Sequence, residues 1–326
     1  MNDKPFLNIV CSFVLITLVF IPYFELKASD AANESMYNNA TNLSDTAKLN
    51  NSDNKSNVSS NTQPLKVFTS FYPIYDFVKK IGKDKIDVFV IVPAGIEPHD
   101  FEPTAKQIID MQKASAIFIN GAGFESWLKK LNNIPIIDLS KDLPLEKNGQ
   151  NGNPHIWLDP VMAKAQAKNI LDSLTHLDPH NKLYYHNNYN QFINNLDKLD
   201  VDIVSGLNKC KLHDFLSFHD AFTYFSKRYG ISQHAIQGVS SEGEVPPQKI
   251  KEAIDLSKQL GIDVIFAEDH MDSRLPDLIA KEINGQVLTL SPIEIISDEE
   301  KQMNKDYFSK MHDNLNNLKI ALKCTS

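Results

Sequence analysis

The stretch PLKVFTSFYPIYDFVKKIG, residues 64–82, decides the fold. Its opening run, Lys66 to Ser70, has the short, β-rich character of a strand. From Phe71 onward the apolar residues fall at helical spacing and stop at Gly82. The same strand-then-helix order recurs downstream. IDVFVIVP (86–93), SAIFING (115–121) and PIIDL (135–139) read as strands, and TAKQIIDMQKA (104–114) and FESWLKKL (124–131) read as helices. Strands alternating with helices predict an α/β lobe built on a largely parallel sheet.

Further along, KDLPLEKNGQNGNP (141–154) has glycines and few apolar residues and is expected to be a loop. The run VMAKAQAKNILDSLTHL (161–177) is helical. Pro179 then opens the longest uninterrupted helical pattern, with Leu183, Tyr184, Phe192, Ile193, Leu196, Leu199, Ile203 and Leu207 near helical spacing. About 30 residues at 1.5 Å each would extend about 45 Å, more than a single lobe requires. Beyond it the alternation resumes through FLSFHDAFTYFSKRYG, HAIQGV, PPQKIKEAIDLSKQLG, VIFAED, SRLPDLIAKEING and VLTLS to a final helix from about Asp298 to Lys323. The expected architecture is α/β. Two lobes, each with a mainly parallel sheet flanked by helices, cover 65–177 and 209–326, joined by one long rigid helix over 178–208.

The chain has 326 residues, 42% of them apolar, and a formal net charge of -8. That balance, with no basic stripe, excludes nucleic acid as the main partner, because neutralising phosphates needs clustered Lys and Arg. Phe6 to Phe24 is almost uncharged and follows Lys4, close to the roughly 20 residues that span a bilayer. Residues 1–28 therefore read as a signal peptide or membrane anchor, with Leu26 to Ala28 a poor cleavage site. Residues 29–64, rich in Asn, Ser, Thr and Asp, read as a disordered tether, and sequons at Asn33, Asn39, Asn42, Asn50, Asn54 and Asn57 leave glycosylation open. The protein is expected to be exported and held at the extracellular face of the cytoplasmic membrane. In an oxidising compartment Cys210 and Cys324 could pair or remain two buried thiols.

Three histidines stand at strand ends or turns beside stiff or acidic neighbours: His99 in GIEPHDFEP, His155 in NPHIWLDP and His219 in SFHDAF. Ligands of open α/β sheets bind beyond the carboxyl ends of strands, so the three could converge on a cleft between the lobes. Three imidazoles with a fourth oxygen make a tetrahedral site that suits zinc. Gaps of this length match no local metal motif, and a single histidine is more often a surface or hydrogen-bonded residue. Asp100, Asp159 and Asp220, near the histidines, could orient the rings or cap helices.

The segments FYPIYDFVKKIG (71–82), VPAGIEPHDFEPTAKQI (92–108), GFESWL (123–128), NPHIWLDP (153–160), FHDAFTYFSKRYGI (218–231) and VIFAEDHMDSRLPDLIAKEINGQVL (264–288), with the long helix, resemble the zinc/manganese substrate-binding proteins of ABC importers. The resemblance covers residues 66–326. It implies two α/β lobes around a rigid helix and a divalent ion between them held by His99, His155 and His219. A membrane permease and its ATPase are the implied partners. Where the family commonly carries an Asp as its last ligand, this chain reads TLSPIE (289–294), with Ser291 at that place. Water, Glu294, Glu268 or Glu97 could then fill the fourth position. Three imidazoles without a certain carboxylate favour zinc over manganese, which prefers oxygen-rich sites. The chain is accordingly read as a binding component and not an enzyme. A zinc hydrolase with Glu268 as base, or a surface adhesin displayed on the tether, are the competing readings. The first lacks any HExxH-type signature.

Overall fold

The computed structural model describes residues 64–131, 133–146, 152–239, 243–269 and 272–325. The apolar N-terminal run, the proposed tether and its six sequons lie outside the described residues.

The first sheet contains β1 (Leu65–Thr69), β2 (Ile86–Val90), β3 (Ala116–Ile119) and β4 (Ile136–Asp138), all parallel, in the order β2-β1-β3-β4. The second repeats that order with β5 (Asp214–Ser217), β6 (Ser232–Ala235), β7 (Val264–Ala267) and β8 (Gln286–Thr289), as β6-β5-β7-β8. Parallel neighbours need crossovers. Those of the first sheet are α1 (Tyr72–Gly82), α2 (Ala105–Met111) and the short 3-10 helix Ser126–Lys130; those of the second are α5 (Thr223–Tyr229), α6 (Pro247–Leu260) and α7 (Arg274–Glu282). The run FESWLKKL is thus a 3-10 turn and not an α-helix, since only Ser126–Lys130 is wound. In each sheet the chain leaves the first strand to one side and returns on the other. This reversal opens a crevice beyond the carboxyl ends of the strands.

Between the sheets run α3 (Pro160–Leu177) and α4 (Lys182–Leu207). The long helix begins after a 3-10 turn at Pro179–Asn181 and has 26 residues, so it spans about 39 Å, shorter than the sequence pattern suggests. Its buried face is Tyr185, Asn188, Phe192, Leu196, Leu199, Ile203 and Leu207. Leu183, expected on that face, is 74% exposed, and Tyr185 takes the inward place, its hydroxyl donating to Asp178 Oδ2 at 2.7 Å. The C-terminal helix is also not continuous. A capping box at Ser297 starts α8 (Asp298–Gln302), Asn304 turns the chain at φ +55°, and a second box at Asp306 starts α9 (Tyr307–Ala321).

One apolar cluster runs from Val67 and Phe71 through Trp157 and α4 to Phe266, Tyr307 and Leu322, so both sheets share a continuous core with the connecting helices. Cys210 and Cys324 form a disulfide that ties the chain end to the start of the second sheet. Trp157 Nε1 donates to Pro292 O at 2.7 Å, and Tyr307 Oη donates to Trp157 O at 2.7 Å. These bonds cross directly between segments that carry candidate ligands. Large relative rotation of the two sheets would expose the shared core and break them. Metal binding is therefore expected to produce small tilts, and a solution-scattering comparison of the metal-free and zinc-loaded protein should show little change in radius of gyration.

Candidate metal site

His99 lies in the loop after β2, His155 in the loop after β4, and His219 two residues beyond β5. Glu294 follows β8. One donor atom from each of these four residues lies within 4.8 Å of the others, a group able to hold a metal ion. Glu294 Oε1 is 3.2 Å from His99 Nε2 and 2.9 Å from His155 Nε2. The side chains of His155, His219 and Glu294 are at most 2% exposed, and that of His99 is 9% exposed.

The rigidity of NPHIWLDP has a local cause. Asn120 Nδ2, at the end of β3, donates to Pro154 O at 2.9 Å, and Gln166 Nε2 of α3 donates to Asn120 Oδ1 at 3.0 Å. Gly121, with φ +81°, lets the turn after β3 pass against Asp138 and Ser140, where a Cβ would sit 1.8 Å from Asp138 Oδ1. Asp159 caps α3 by accepting from Val161 N and pairs with Arg228, while Asp220 accepts from Thr223 Oγ1. Of the two roles open to these acids, Asp159 takes the helix cap, and the Asp220 carboxylate serves the Thr223 side chain. Asp100 is exposed.

Asn153 orients His155 instead. Its Oδ1 accepts from His155 Nδ1 at 2.7 Å and from His155 N at 3.0 Å. An amide oxygen can only accept, so Nδ1 carries the proton and Nε2 presents its lone pair to the cluster. The same side chain donates through Nδ2 to Asp220 O at 2.9 Å and to Thr223 Oγ1 at 3.2 Å in the second half of the chain. No aspartate signal marked this residue. Its place two before a histidine, at the start of a stiff turn, was the available clue. Asn153→Ala is expected to weaken zinc binding about 10- to 100-fold, as loss of a ligand-orienting partner does, measurable by chelator competition.

His219 is held the same way by backbone. Its Nε2 lies 3.1 Å from Val239 O, a pure acceptor, which leaves Nδ1 as the free donor atom. Nδ1 is buried without a hydrogen bond and lies 3.3 Å from Glu268 Oε2.

At the fourth position the sequence left water, Glu294, Glu268 and Glu97 as alternatives. Ser291 does not leave a gap. Its hydroxyl donates to Asp269 and accepts from Ile293 N at 3.1 Å, while Asn314 clamps its backbone by accepting from Ser291 N at 2.8 Å and donating to Ser291 O at 2.7 Å. Asp269 is fixed in turn by the buried Lys310, whose Nζ is 2.9 Å away. Ile293 adopts φ +63°, a conformation that β-branched residues avoid, and the clamp sustains it. This turn aims Glu294 at the histidines. Of the alternatives for the fourth ligand, Glu294 enters the cluster, whereas Glu97 Oε1 accepts from His99 N and Glu268 faces His219 alone.

Electrostatics follow from burial. Desolvation opposes the charge of Glu294, yet the surrounding imidazoles of His99, His155 and His219 hold its carboxyl well below the usual range. Burial pushes His155 down to about 3, so its ring is neutral. For His219 burial also opposes protonation, but Glu268 and Glu294 outweigh it and lift the ring to about 9. Glu97 is pushed up to about 7 by burial and by the charge of Glu294. For His99 burial opposes protonation, but Glu294 outweighs it and raises the ring above the ordinary imidazole value. The metal-free site thus favours protons on His99 and His219, held by Glu294 and, for His219, also by Glu268.

Residues 67–321 match the family model described as zinc-uptake complex component A, periplasmic. The high-affinity zinc uptake system protein ZnuA of Bacillus subtilis (strain 168) is 32% identical over 85% of this chain and 93% of its own length. Among solved structures, the Zn(II)-bound ZnuA-like domain of Streptococcus pneumoniae AdcA aligns with a TM-score of 0.73 and 31% identity, over 80% of this chain and 99% of that one. The chain spans 56% of the length of the AdcA of Streptococcus pyogenes serotype M1. The laminin-binding protein Lmb of Streptococcus agalactiae, described as bifunctional with adhesin and metal-transporting activity, aligns with a TM-score of 0.74 and 34% identity, over 80% of this chain and all of that one. With the three histidines and the doubled β2-β1-β3-β4 topology in place, the chain belongs to the ZnuA family of zinc-uptake binding proteins.

Proposed function

We propose that this chain captures one zinc ion with His99 Nε2, His155 Nε2, His219 Nδ1 and the Glu294 carboxylate, and passes it to the membrane permease of an ABC importer. The observation that carries this reading is the convergence of three imidazoles and one carboxylate, from the loops that follow β2, β4, β5 and β8, into a buried cluster. Three nitrogens and one oxygen fit zinc's tetrahedral preference and fit manganese, with its taste for oxygen-rich octahedral sites, poorly. An open cavity of about 670 Å³, lined among others by Tyr72, Asp76, Val92 and Ile296, reaches Glu294 and supplies a route for the ion. The lobes are assigned to 65–177 and 209–326, with 178–208 as the connection. Titration of the purified chain should give one zinc per chain, and a triple alanine replacement of the histidines should abolish it. Tight zinc binding by that variant would sink the reading.

The permease with its ATPase are the partners a binding role requires. Export and retention at the cell surface through the N-terminal residues complete the proposal. A second reading, adhesion, is favoured by the likeness to Lmb. Saturable binding of the chain to immobilised laminin would support it, and no binding would remove it.

Zinc must displace protons held by His99 and His219, because imidazole ligates only when neutral. Affinity is therefore expected to weaken by about tenfold or more per pH unit as pH falls from 8 to 6. Calorimetry in buffers of differing ionisation enthalpy reads the released protons directly. The stability of the metal-free protein moves differently. The raised His219 stabilises fully below the ordinary 6.5 and loses that contribution as pH rises through about 9. The depressed His155 stabilises above 6.5 and loses its contribution as pH falls toward about 3. These two groups place the metal-free maximum near pH 6.5, whereas the thermal shift caused by zinc should grow from pH 6 to pH 8. A zinc-induced shift that is flat across that range would contradict the proton count.

A further inference from the structure

β2 is the outermost strand of the first sheet, and among the described residues no strand pairs with its outer edge. Ile91 N donates to Thr69 O at 2.9 Å, and Thr69 stands opposite Val90 in the register. In a parallel ladder this turns the backbone groups of Asp87, Phe89 and Ile91 toward β1 and those of Val88 and Val90 outward. Such an edge is ordinarily blunted by charge, by proline or by a covering loop. Here Phe89 and Val90 are apolar and exposed.

The open cavity of about 670 Å³ runs along this edge, since Val88, Phe89 and Val90 all line it. Across from them stand Tyr75 of α1 and Ile295 and Ile296 of the loop after β8. Free main-chain groups beside apolar walls are what strand addition uses: the edge bonds the backbone of an incoming segment, and the walls receive its alternate side chains. Because the edge is recessed in a cavity, one extended segment can enter it. The edge of a second copy, recessed in the same way, cannot meet it.

Charge defines the occupant further. The Asp76 and Glu294 carboxylates of the lining are buried and engaged, the first by Lys80 and the second by the histidines. Lys301 and Lys305 are then the lining charges open to solvent, and their acidic partners Asp298 and Asp313 stand outside the lining. The groove therefore suits an apolar segment that carries acidic residues. The residues just before β1, KSNVSSNTQ (55–63), are polar and suit its walls poorly.

Resting on the zinc-importer reading above, we propose that this groove docks the permease by strand addition, with an extended, apolar and acidic extracellular segment of the permease pairing along the outer edge of β2. The far wall of the groove is the loop that carries Glu294, so a docked segment lies against the chain that must let the ion go.

The test compares Val88→Pro, which deletes an outward N–H and leaves the ladder to β1 intact, with Val88→Thr, which keeps that N–H. Each variant is the sole copy in cells that carry an epitope-tagged permease, and a photo-crosslinking side chain replaces Phe89. The parent and Val88→Thr should crosslink to the permease, and Val88→Pro should not. Zinc uptake at limiting zinc should fall about tenfold in Val88→Pro, the effect of a lost main-chain hydrogen bond, while zinc titration of the purified chain stays unchanged. Unaltered uptake in Val88→Pro overturns the proposal. So does an equal loss in Val88→Pro and Val88→Thr, which would implicate the side chain and not the backbone edge. Crosslinks only to a second copy or to the chain's own N-terminal residues overturn it in favour of those occupants. Should Val88→Pro fail to fold, the double variant Lys301→Glu, Lys305→Glu decides: uptake should drop several-fold at unchanged zinc affinity, and full uptake refutes the groove. If the parent binds no stoichiometric zinc, the zinc reading itself fails. Normal zinc binding with unimpaired uptake in the variants defeats the docking groove alone.

Discussion

Glu294→Gln is expected to lower zinc affinity by at least about 100-fold, beyond the loss typical of a residue that only orients a ligand. The carboxylate is the site's one charged ligand in the proposed four-residue set, and it touches two of the three histidines at 3.2 and 2.9 Å. Glutamine keeps the shape and removes the charge, so a drop in affinity reports electrostatics and not packing. The metal-free protein should respond too. Without Glu294 the protons on His99 and His219 lose a principal partner, and both rings should titrate at lower pH by NMR. By contrast Ser291→Ala, which removes the hydroxyl but not the Asn314 clamp on the backbone, should cost far less affinity. If Ser291→Ala proved as damaging as Glu294→Gln, the assignment of the fourth ligand would be wrong.

Replacing Cys324 by serine should destabilise the protein by about 4 kcal/mol, measured as a lowered denaturation midpoint in urea. The disulfide closes a loop with a sequence separation of 114, and long loops carry the largest unfolded-state entropy penalty. That loop contains the whole second sheet and His219 and Glu294, so the bond restrains the unfolded chain over the half that supplies two candidate ligands. The apolar cluster around Cys210, Cys324 and Leu322 remains after the substitution. The variant should therefore still fold and bind zinc at 25 °C, with a lower melting temperature. Equal stability of the parent with and without reductant would refute the estimate.

A buried lysine with two acidic partners sets a further expectation. Lys310 is 3% exposed and bonds Asp269 and Glu300, which tie α9 and α8 to the loop after β7. Lys310→Met strands two carboxylates in a low-dielectric setting and should cost about 3 kcal/mol in the same denaturation assay.

The alternation of short β-rich runs with amphipathic helices was local information, since strand and helix periods are written residue by residue. That is why PLKVFTSFYPIYDFVKKIG sufficed for the α/β class and for parallel sheets. The stiffness of NPHIWLDP was also local, because proline restricts its own backbone and that of its neighbour. The three histidines could be singled out because each stands in a strand end or turn beside stiff or acidic neighbours, and such folds open in the loops after their strands. Other features depended on the packed molecule. Tyr185 rather than Leu183 faces inward because α4 packs against α1, α3 and α9, and helical spacing alone does not say which residues of a turn meet those neighbours. The pairing of Cys210 with Cys324 required their backbones to be neighbours. Glu294 could be named as a candidate from its neighbourhood, but its selection over Glu97 and Glu268 rests on the turn at Ile293, which Asn314, Asp269 and Trp157 hold from distant points of the chain. Asn153 was invisible for the same reason. A propensity belongs to one stretch of chain, whereas a buried donor set exists only where several stretches meet, so sequence determined the elements and tertiary packing decided which side chains share the site.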